Sequence, residues 1–287
     1  MSDWDDRQAD LPGGSVPPDL SALPPPEWPS APTVPLSDDS YLPFSSWSYG
    51  NFALALVAGI IIGPFLAVIA ITLVSGADAV EDTPTLVLLG VQAVSSFAAL
   101  FLLSRLRGTG SWRDDYGFVV RPRHIWGLFA GMVLQIAVAL LTFPLIERFA
   151  EDDGPQQEIA RVAADLSGTE IVFFGIVVAV LTPIFEEVVF RGMLLGRLVK
   201  SMNRHWAAAI SAIAFGATHL LDPNAFLVVP GLIIVGLVLA YVAYYSKNLS
   251  LPIFVHMGVN GLAVLLLAFQ DELEKLAETV ETIIWFI

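Results

Sequence analysis

The sequence has no cysteine, and only 15% of its 287 residues are charged. The absence of cysteine excludes disulfides, cysteine nucleophiles and thiolate metal sites. The low charged fraction excludes an ordinary soluble globular domain, in which about 25% of the residues are charged. Any chemistry must therefore come from carboxylates, histidines or hydroxyls.

Basic residues are scarce, and the formal net charge is −14. Most of this acidity is at the two ends: residues 1–46 hold eight acids and one base, and residues 271–287 hold five acids and one base. The central part, 47–270, has fifteen acids and twelve bases, which is a net charge of only −3. A chain with no net excess of basic residues is not expected to bind nucleic acid.

Residues 1–46 also contain ten of the nineteen prolines. Such a segment buries too little apolar surface to fold, so we predict a disordered, proline-rich acidic tail. The tail is interpreted either as a tether or as a binding site for a proline-recognising partner.

From Phe52 onward, apolar windows of about 20 residues follow one another, each of a length that crosses a bilayer. The pattern predicts an all-α fold, a polytopic membrane bundle of seven transmembrane helices. The windows run near 52–75, 85–104, 125–146, 171–198, 206–221, 226–246 and 252–270. Gly59 and Gly63 allow close helix contact, and Pro183 predicts a kink or break in the fourth window. Residues 271–287 alternate acids with apolar residues at helical spacing, which predicts an amphipathic interfacial helix, with an eighth span as the alternative.

Basic connections alternate with acidic ones along the chain. The basic connections follow the second, fourth and sixth windows, and the positive-inside rule places them in the cytoplasm. We therefore predict an integral multi-pass membrane protein with its amino terminus inside and its carboxyl terminus outside. The basic residues are Arg105, Arg107, Arg113, Arg121 and Arg123, then Arg197, Lys200 and Arg204, then Lys247.

Four windows, the first, second, third and sixth, contain no Asp, Glu, Lys, Arg or His. The ionisable residues well inside the other three are Glu186, Glu187, Arg191, His219 and His256. A charge at the bilayer centre costs about 2.5–3.5 kcal/mol on insertion scales, so these residues need partners or a polar cavity. Glu187 and Arg191 are four residues apart on one helix face and are the expected ion pair. Glu186 is left to face the interior of the bundle.

Two further pairs with four-residue spacing mark polar helix faces: Phe215 with His219, and His256 with Asn260. Counting from the basic connections at 1.5 Å per residue puts Glu186, His219 and Asn260 about 20 Å along their helices. His256 falls nearer to the cytoplasmic end, at about 13 Å. We expect the polar faces of three helices to form one site.

These residues supply the groups for peptide hydrolysis. Glu186 fits the general base that takes a proton from water and returns it to the leaving amine. His219 fits the group that holds the water, and His256 with Asn260 fits the donors to the oxyanion. Glu186, His219 and His256 also match the ligand set of hydrolytic zinc sites, so a metal-dependent alternative stays open, although the residues do not require a metal.

Two other classes of protein compete with an enzyme. A proton-coupled transporter would use Glu186, His219 and His256 as an ion relay, and such proteins typically contain an internal repeat, which is not visible here. A non-catalytic membrane scaffold or immunity protein would keep the fold and use the same residues only as contacts between helices.

The stretch from Phe185 to Gly192 resembles the EExxxR motif of the CAAX-protease and bacteriocin-processing family of intramembrane proteases. Residues 215–219 resemble the family's FxxxH motif, and residues 256–260 its HxxxN motif, in the family's order. The resemblance implies an endopeptidase bundle over 47–270, with the motifs within 170–265.

The resemblance also implies a membrane-associated peptide or protein as substrate and a prokaryotic cell membrane as location. Family members have been described both as metalloproteases and as metal-free glutamate proteases. The residues that it implies are Glu186, His219, His256 and Asn260 as catalytic groups, and Glu187, Arg191 and Phe215 as supports.

Overall fold

A computed structural model of the chain describes most of the residues from Trp47 to Lys275. The described residues are 47–76, 85–149, 166, 168–222, 225–270, 272–273 and 275. The predicted proline-rich tail lies outside them. So does the predicted interfacial helix, apart from residues 272–273 and 275.

The described part of the chain is all-helical, which confirms the predicted fold class. Its helices, in chain order, are α1 (Tyr49–Ser75), α2 (Thr85–Arg107), α3 (Trp112–Tyr116), α4 (Pro122–Phe149), α5 (Thr169–Leu198), α6 (Arg204–Thr218), α7 (Val229–Ser246) and α8 (Ser250–Ala268). Six of them are long and apolar enough to span a membrane: α1, α2, α4, α5, α7 and α8. The predicted fifth window is α6, which has only 15 residues and ends in a 3₁₀ turn, His219–Leu221.

The outer faces of the long helices carry large apolar side chains. Leu73, Val74, Leu106, Trp126 and Leu140 are each between 72% and 85% exposed. A helix that is apolar on every side needs an apolar surrounding on its outward face as well as on its inward face. With lipid as that surrounding, the long helices satisfy both faces, and the chain is an integral membrane protein.

Glycines set the closest contacts between helices. A Cβ atom at Gly131 of α4 would meet the carbonyl oxygen of Val255, and one at Gly258 of α8 would meet that of Leu128. The absence of both side chains brings the backbones of α4 and α8 together, as in small-residue interfaces of membrane helices. This contact fixes the position of α8 in the bundle.

The predicted close contact of the first span also occurs. A Cβ atom at Gly63 would overlap Ser95 of α2, and one at Gly59 would lie 2.5 Å from the ring of Phe185 in α5. The Gly59 carbonyl accepts hydrogen bonds of 3.1 Å from the hydroxyls of Ser95 and Ser96. Gly59 therefore joins α1 to both α2 and α5.

Helix α5 departs from regular α geometry on both sides of Pro183, where a kink or break was predicted, but it runs without interruption from Thr169 to Leu198. A π-helical turn covers Val177–Leu181, and a longer π-helical stretch covers Glu187–Leu195. Proline lacks the N–H of the α-helical ladder, and π turns are frequent at functional sites. Residues 185–196 are all buried, so this half of α5 lies inside the bundle.

The connection between α2 and α4 is built on Asp115. Its carboxylate accepts hydrogen bonds from the Ser104 hydroxyl at 2.6 Å, from the N–H and hydroxyl of Thr109 at 2.7 and 2.9 Å, and from the Gly110 N–H at 3.1 Å. The indole of Trp47 donates to the Asp115 carbonyl at 2.7 Å. Burial opposes ionisation of Asp115, but the hydrogen bonds outweigh it and hold the pKa of the carboxyl below its usual value.

Candidate active site

The structure brings the two adjacent glutamates of α5 to one histidine of α8. The Nδ1 atom of His256 lies 3.0 Å from Glu187 Oε1, and its Nε2 atom lies 3.6 Å from Glu186 Oε2. Because a carboxylate only accepts, Nδ1 carries the proton that is donated to Glu187. The Nε2 atom is therefore the one that faces Glu186, at a distance longer than a direct hydrogen bond.

Glu187 and Arg191 form the predicted ion pair. The Nη1 atom of Arg191 lies 2.8 Å from Glu187 Oε1, and both side chains are fully buried. The Nη2 atom donates a hydrogen bond of 3.0 Å to the carbonyl of Gly236 in α7. The pair thus compensates two buried charges and also attaches α5 to α7, while Glu187 positions His256.

Phe215 of α6 is the common neighbour of the polar residues. The guanidinium of Arg191 lies over its ring at 4.6 Å, a cation–π contact. The rings of His219 and His256 meet the same ring edge to face, with centroid distances of 5.1 and 5.6 Å. The aromatic side chain therefore sets the relative positions of groups from α5, α6 and α8.

His219 is the first residue of the 3₁₀ turn that follows α6, and it is half-buried. Its Nδ1 atom lies 3.1 Å from the carbonyl oxygen of Phe215, so Nδ1 carries a proton and Nε2 has the free lone pair. The predicted placement of His219 beside Phe215 is therefore observed, across the end of α6.

Asn260 lies one turn beyond His256, and its amide donates a 2.9 Å hydrogen bond to the carbonyl of Val178. Val178 is in the first π turn of α5, eight residues before Glu186. Counting residues put Asn260 at the depth of Glu186, whereas the structure puts His256 there. The π-helical stretch of α5 contributes to the difference, because its wider turns hold more residues and advance less per residue than an α-helix.

Glu186 differs from Glu187 in its access to a cavity. Glu186 is 9% exposed, and it lines a small cavity of about 50 Å³ between α1, α2 and α5. Three neutral polar residues, Gln92, Ser96 and Thr182, line the same cavity. None of these three is ionisable, and the sequence marks them only by the four-residue spacing of Gln92 and Ser96, which puts both on one face of α2. The cavity gives Glu186 a polar surrounding and room for a small ligand.

The described residues include no group of three His, Asp or Glu side chains arranged to hold a metal ion. Both ring nitrogens of His256 face carboxylate oxygens, and Nδ1 of His219 faces its own helix. The metalloprotease interpretation therefore finds no support among the described residues, and the alternative ligand set of Glu186, His219 and His256 stays a prediction.

Fold and site together define a helical membrane protein with a carboxylate and histidine cluster inside the bundle. The sequence model of the Rce1-like family, the type II CAAX prenyl endopeptidases, matches residues 168–262. All three motifs lie within the matched residues, so the match confirms the resemblance drawn from them.

Two curated relatives agree with this assignment. The chain is 31% identical over 91 residues to the putative membrane peptidase YdiL of Bacillus subtilis, a match that covers 32% of this chain and 36% of the relative. It is 28% identical over 165 residues to the membrane-embedded CAAX protease MroQ of Staphylococcus aureus, which covers 56% of this chain and 65% of the relative. The matches thus span less than two thirds of either relative. No solved structure matches the chain significantly.

Proposed function

We propose that this protein is an intramembrane endopeptidase that hydrolyses a peptide bond of a membrane-associated peptide or protein. The observation that carries the proposal is the difference between the two glutamates. Glu187 is sealed and paired with Arg191, whereas Glu186 opens to a polar cavity and faces His256. A structural role explains the pairing of Glu187, but it does not explain why Glu186 opens to a cavity.

In the proposed reaction, Glu186 is the general base. It takes a proton from a water molecule as the water oxygen bonds to the carbonyl carbon of the substrate. When the resulting tetrahedral intermediate collapses, the C–N bond breaks, and Glu186 returns the proton to the leaving amine. The products are a carboxylic acid and an amine, and water is the only other reactant.

The histidines and Asn260 complete the proposed mechanism. His219 holds the attacking water through its Nε2 atom. His256, in the form protonated at both nitrogens, donates from Nε2 to the oxyanion, because Nδ1 is already committed to Glu187. The amide of Asn260 has two N–H donors, so one remains for the oxyanion after the bond to Val178.

Glu187, Arg191 and Phe215 hold these groups in place in the proposed mechanism. Glu187 orients His256, Arg191 neutralises Glu187, and the Phe215 ring separates and supports both histidines. Such support is important because a displacement of about 1 Å in a catalytic group is enough to reduce a rate about 100-fold.

The names of the relatives support the proposed substrate class. One is called a putative membrane peptidase and the other a membrane-embedded CAAX protease. The family match over residues 168–262 contains every site residue that the sequence predicts. We therefore propose a membrane-associated peptide or protein as substrate and a prokaryotic cell membrane as the location, with the amino terminus in the cytoplasm.

The test replaces Glu186 with glutamine in the purified, lipid-reconstituted chain. A library of membrane-anchored peptides, with and without a prenylated terminus, serves as substrate, and mass spectrometry detects the products. E186Q is expected to abolish cleavage, because glutamine cannot accept the proton. The matched control is Glu170→Gln, at the exposed start of the same helix, which is expected to cleave normally.

Retained cleavage by E186Q would overturn the proposed role of Glu186. Candidate substrates for the assay come from cells that express E186Q, in which uncleaved substrates are expected to accumulate. If neither substrate accumulation nor any growth effect separates E186Q cells from wild-type cells, the non-catalytic scaffold is the better explanation.

A further inference from the structure

A second pocket lies apart from the glutamates, where the start of α4 meets the turn between α7 and α8. Its volume is about 510 Å³, and it shares no lining residue with the cavity at Glu186. Three cationic residues line it, Arg121, Arg123 and Lys247, and none of its lining residues is acidic. The pocket therefore presents positive charge to any ligand that enters.

Hydrogen bonds hold the wall of this pocket in place. The amide of Asn248 donates to the Val119 carbonyl at 3.0 Å, which ties the α7–α8 turn to the segment before Arg121. The amide oxygen of the same side chain accepts from the Ser250 N–H at 2.6 Å. The pocket is thus formed by two connections that are fixed to each other before any ligand binds.

His124 supplies an observation that is independent of charge. It lines the pocket, is only 5% exposed, and its Nδ1 atom has no hydrogen-bond partner. Buried side-chain nitrogens nearly always have a partner, so an unpaired one in a pocket wall indicates a ligand atom. A nitrogen among arginines suits an oxygen of an anion.

The surroundings indicate the depth of the pocket in the membrane. Ile125 and Trp126 follow His124 directly, and both are highly exposed on the outer face of α4. Tryptophan is enriched at the level of the lipid headgroups. The basic residues next to Trp126 are therefore at the level where the phosphates of a leaflet lie.

We propose that this pocket binds a phosphate-bearing anion, with the headgroup of an anionic phospholipid as the source that its depth favours. Arg121 and Arg123 would bind the phosphate oxygens, for which guanidinium groups are well suited. His124 would donate a further hydrogen bond from Nδ1.

The test uses the full chain in nanodiscs of phosphatidylcholine with or without phosphatidylglycerol, and native mass spectrometry counts the anionic lipids retained. The double variant R121Q/R123Q is expected to retain anionic lipid about 25-fold less, or about 5-fold for each arginine, because each would lose a hydrogen bond to the phosphate that contributes about 1 kcal/mol. The matched control is R105Q/R113Q. It removes two exposed arginines of the same connection that do not line the pocket, so it is expected to lose only the general attraction of arginine to an anionic surface and to retain several-fold more lipid than R121Q/R123Q.

Two further variants separate charge from shape. R121K/R123K keeps the charges and is expected to retain most of the binding, which also shows that the segment still folds. H124F keeps the ring volume and removes the nitrogens, so it is expected to reduce retention several-fold at unchanged charge. Equal losses in R121Q/R123Q and R105Q/R113Q, or full retention in H124F, would overturn the proposal.

Inorganic phosphate identifies the source of the anion. If phosphate alone raises the melting temperature of the protein in phosphatidylcholine nanodiscs, and R121Q/R123Q removes that rise, the ligand is free phosphate. If only the anionic lipid does so, the ligand is the headgroup. If neither phosphate nor the anionic lipid raises the melting temperature, the pocket is not a phosphate site of any kind.

Discussion

The replacement of Glu187 by glutamine should separate structural support from chemistry at adjacent positions. Both members of the Glu187–Arg191 pair are fully buried, with 2.8 Å between Nη1 and Oε1. Glutamine keeps the shape of the side chain and removes its charge. Arg191 would then be a buried cation left with the Gly236 carbonyl and the face of Phe215.

The expected loss is large because an uncompensated charge stays buried. Removing one partner of a buried ion pair costs about 3–5 kcal/mol. The same change at Glu186 should cost about 1 kcal/mol or less, since its nearest ionic contact is 3.6 Å from His256 and it borders the cavity. E187Q is therefore expected to lose stability, and E186Q to lose cleavage while remaining stable.

The assay is reversible unfolding of the purified protein in mixed micelles, with helicity followed by circular dichroism as denaturing detergent is added. A companion variant, E187Q/R191M, removes both charges and fills the space with an apolar side chain. It is expected to recover most of the lost stability, because buried ion pairs are often replaced by apolar residues without loss.

Two outcomes would refute this reasoning. If E187Q unfolds at the same detergent fraction as the wild type, Glu187 and Arg191 do not compensate each other as the distance suggests. If E187Q/R191M is no more stable than E187Q, the loss comes from something other than an unpaired Arg191.

Two further predictions concern the frame around the site. Asp115→Asn should lower stability by about 2 kcal/mol, since charge-assisted hydrogen bonds are lost. The exposed Asp114→Asn is the control and should have little effect, and thermal unfolding of the two variants compares them. The pKa of Asp115 is lowered in the folded protein, so its contribution to stability is present above the unfolded pKa of about 3.8 and is lost as the pH falls through the folded pKa. The stability difference between the wild type and D115N should therefore shrink in acid, and a difference that stays constant would contradict this. Gly258→Ala should reduce cleavage about 10- to 100-fold by forcing α8 away from the Leu128 carbonyl, whereas Gly261→Ala, where a Cβ meets open space, should cleave normally; equal rates in peptide cleavage would show that the α4–α8 contact does not position His256.

The fold class was predictable because it depends on composition within short windows. A run of about 20 apolar residues has one stable form in lipid, a helix, since every backbone polar group must be paired within the segment. The Glu187–Arg191 pair was predictable for a similar reason, because both residues are on one helix and their spacing alone brings them together. The motifs of residues 185–192, 215–219 and 256–260 identified the family on the same local basis.

The spacing of residues along the sequence could not predict the contacts between helices. Counting at a constant rise put Asn260 level with Glu186, but the π-helical stretch of α5 changes the rise, and His256 takes that position instead. The cavity beside Glu186 depends on α1 and α2, which carry no ionisable residue inside the membrane and gave no sign of a role in the site.

The sequence by itself determined which residues are too costly to leave unpaired in lipid, and therefore which helices contain a site. Only the tertiary structure decided that Glu187 is fully buried and that Glu186 lines a cavity. The physical reason is that the free-energy cost of burying a charge depends on the residue and its immediate neighbours along the chain, whereas access to a cavity depends on how three separate helices pack.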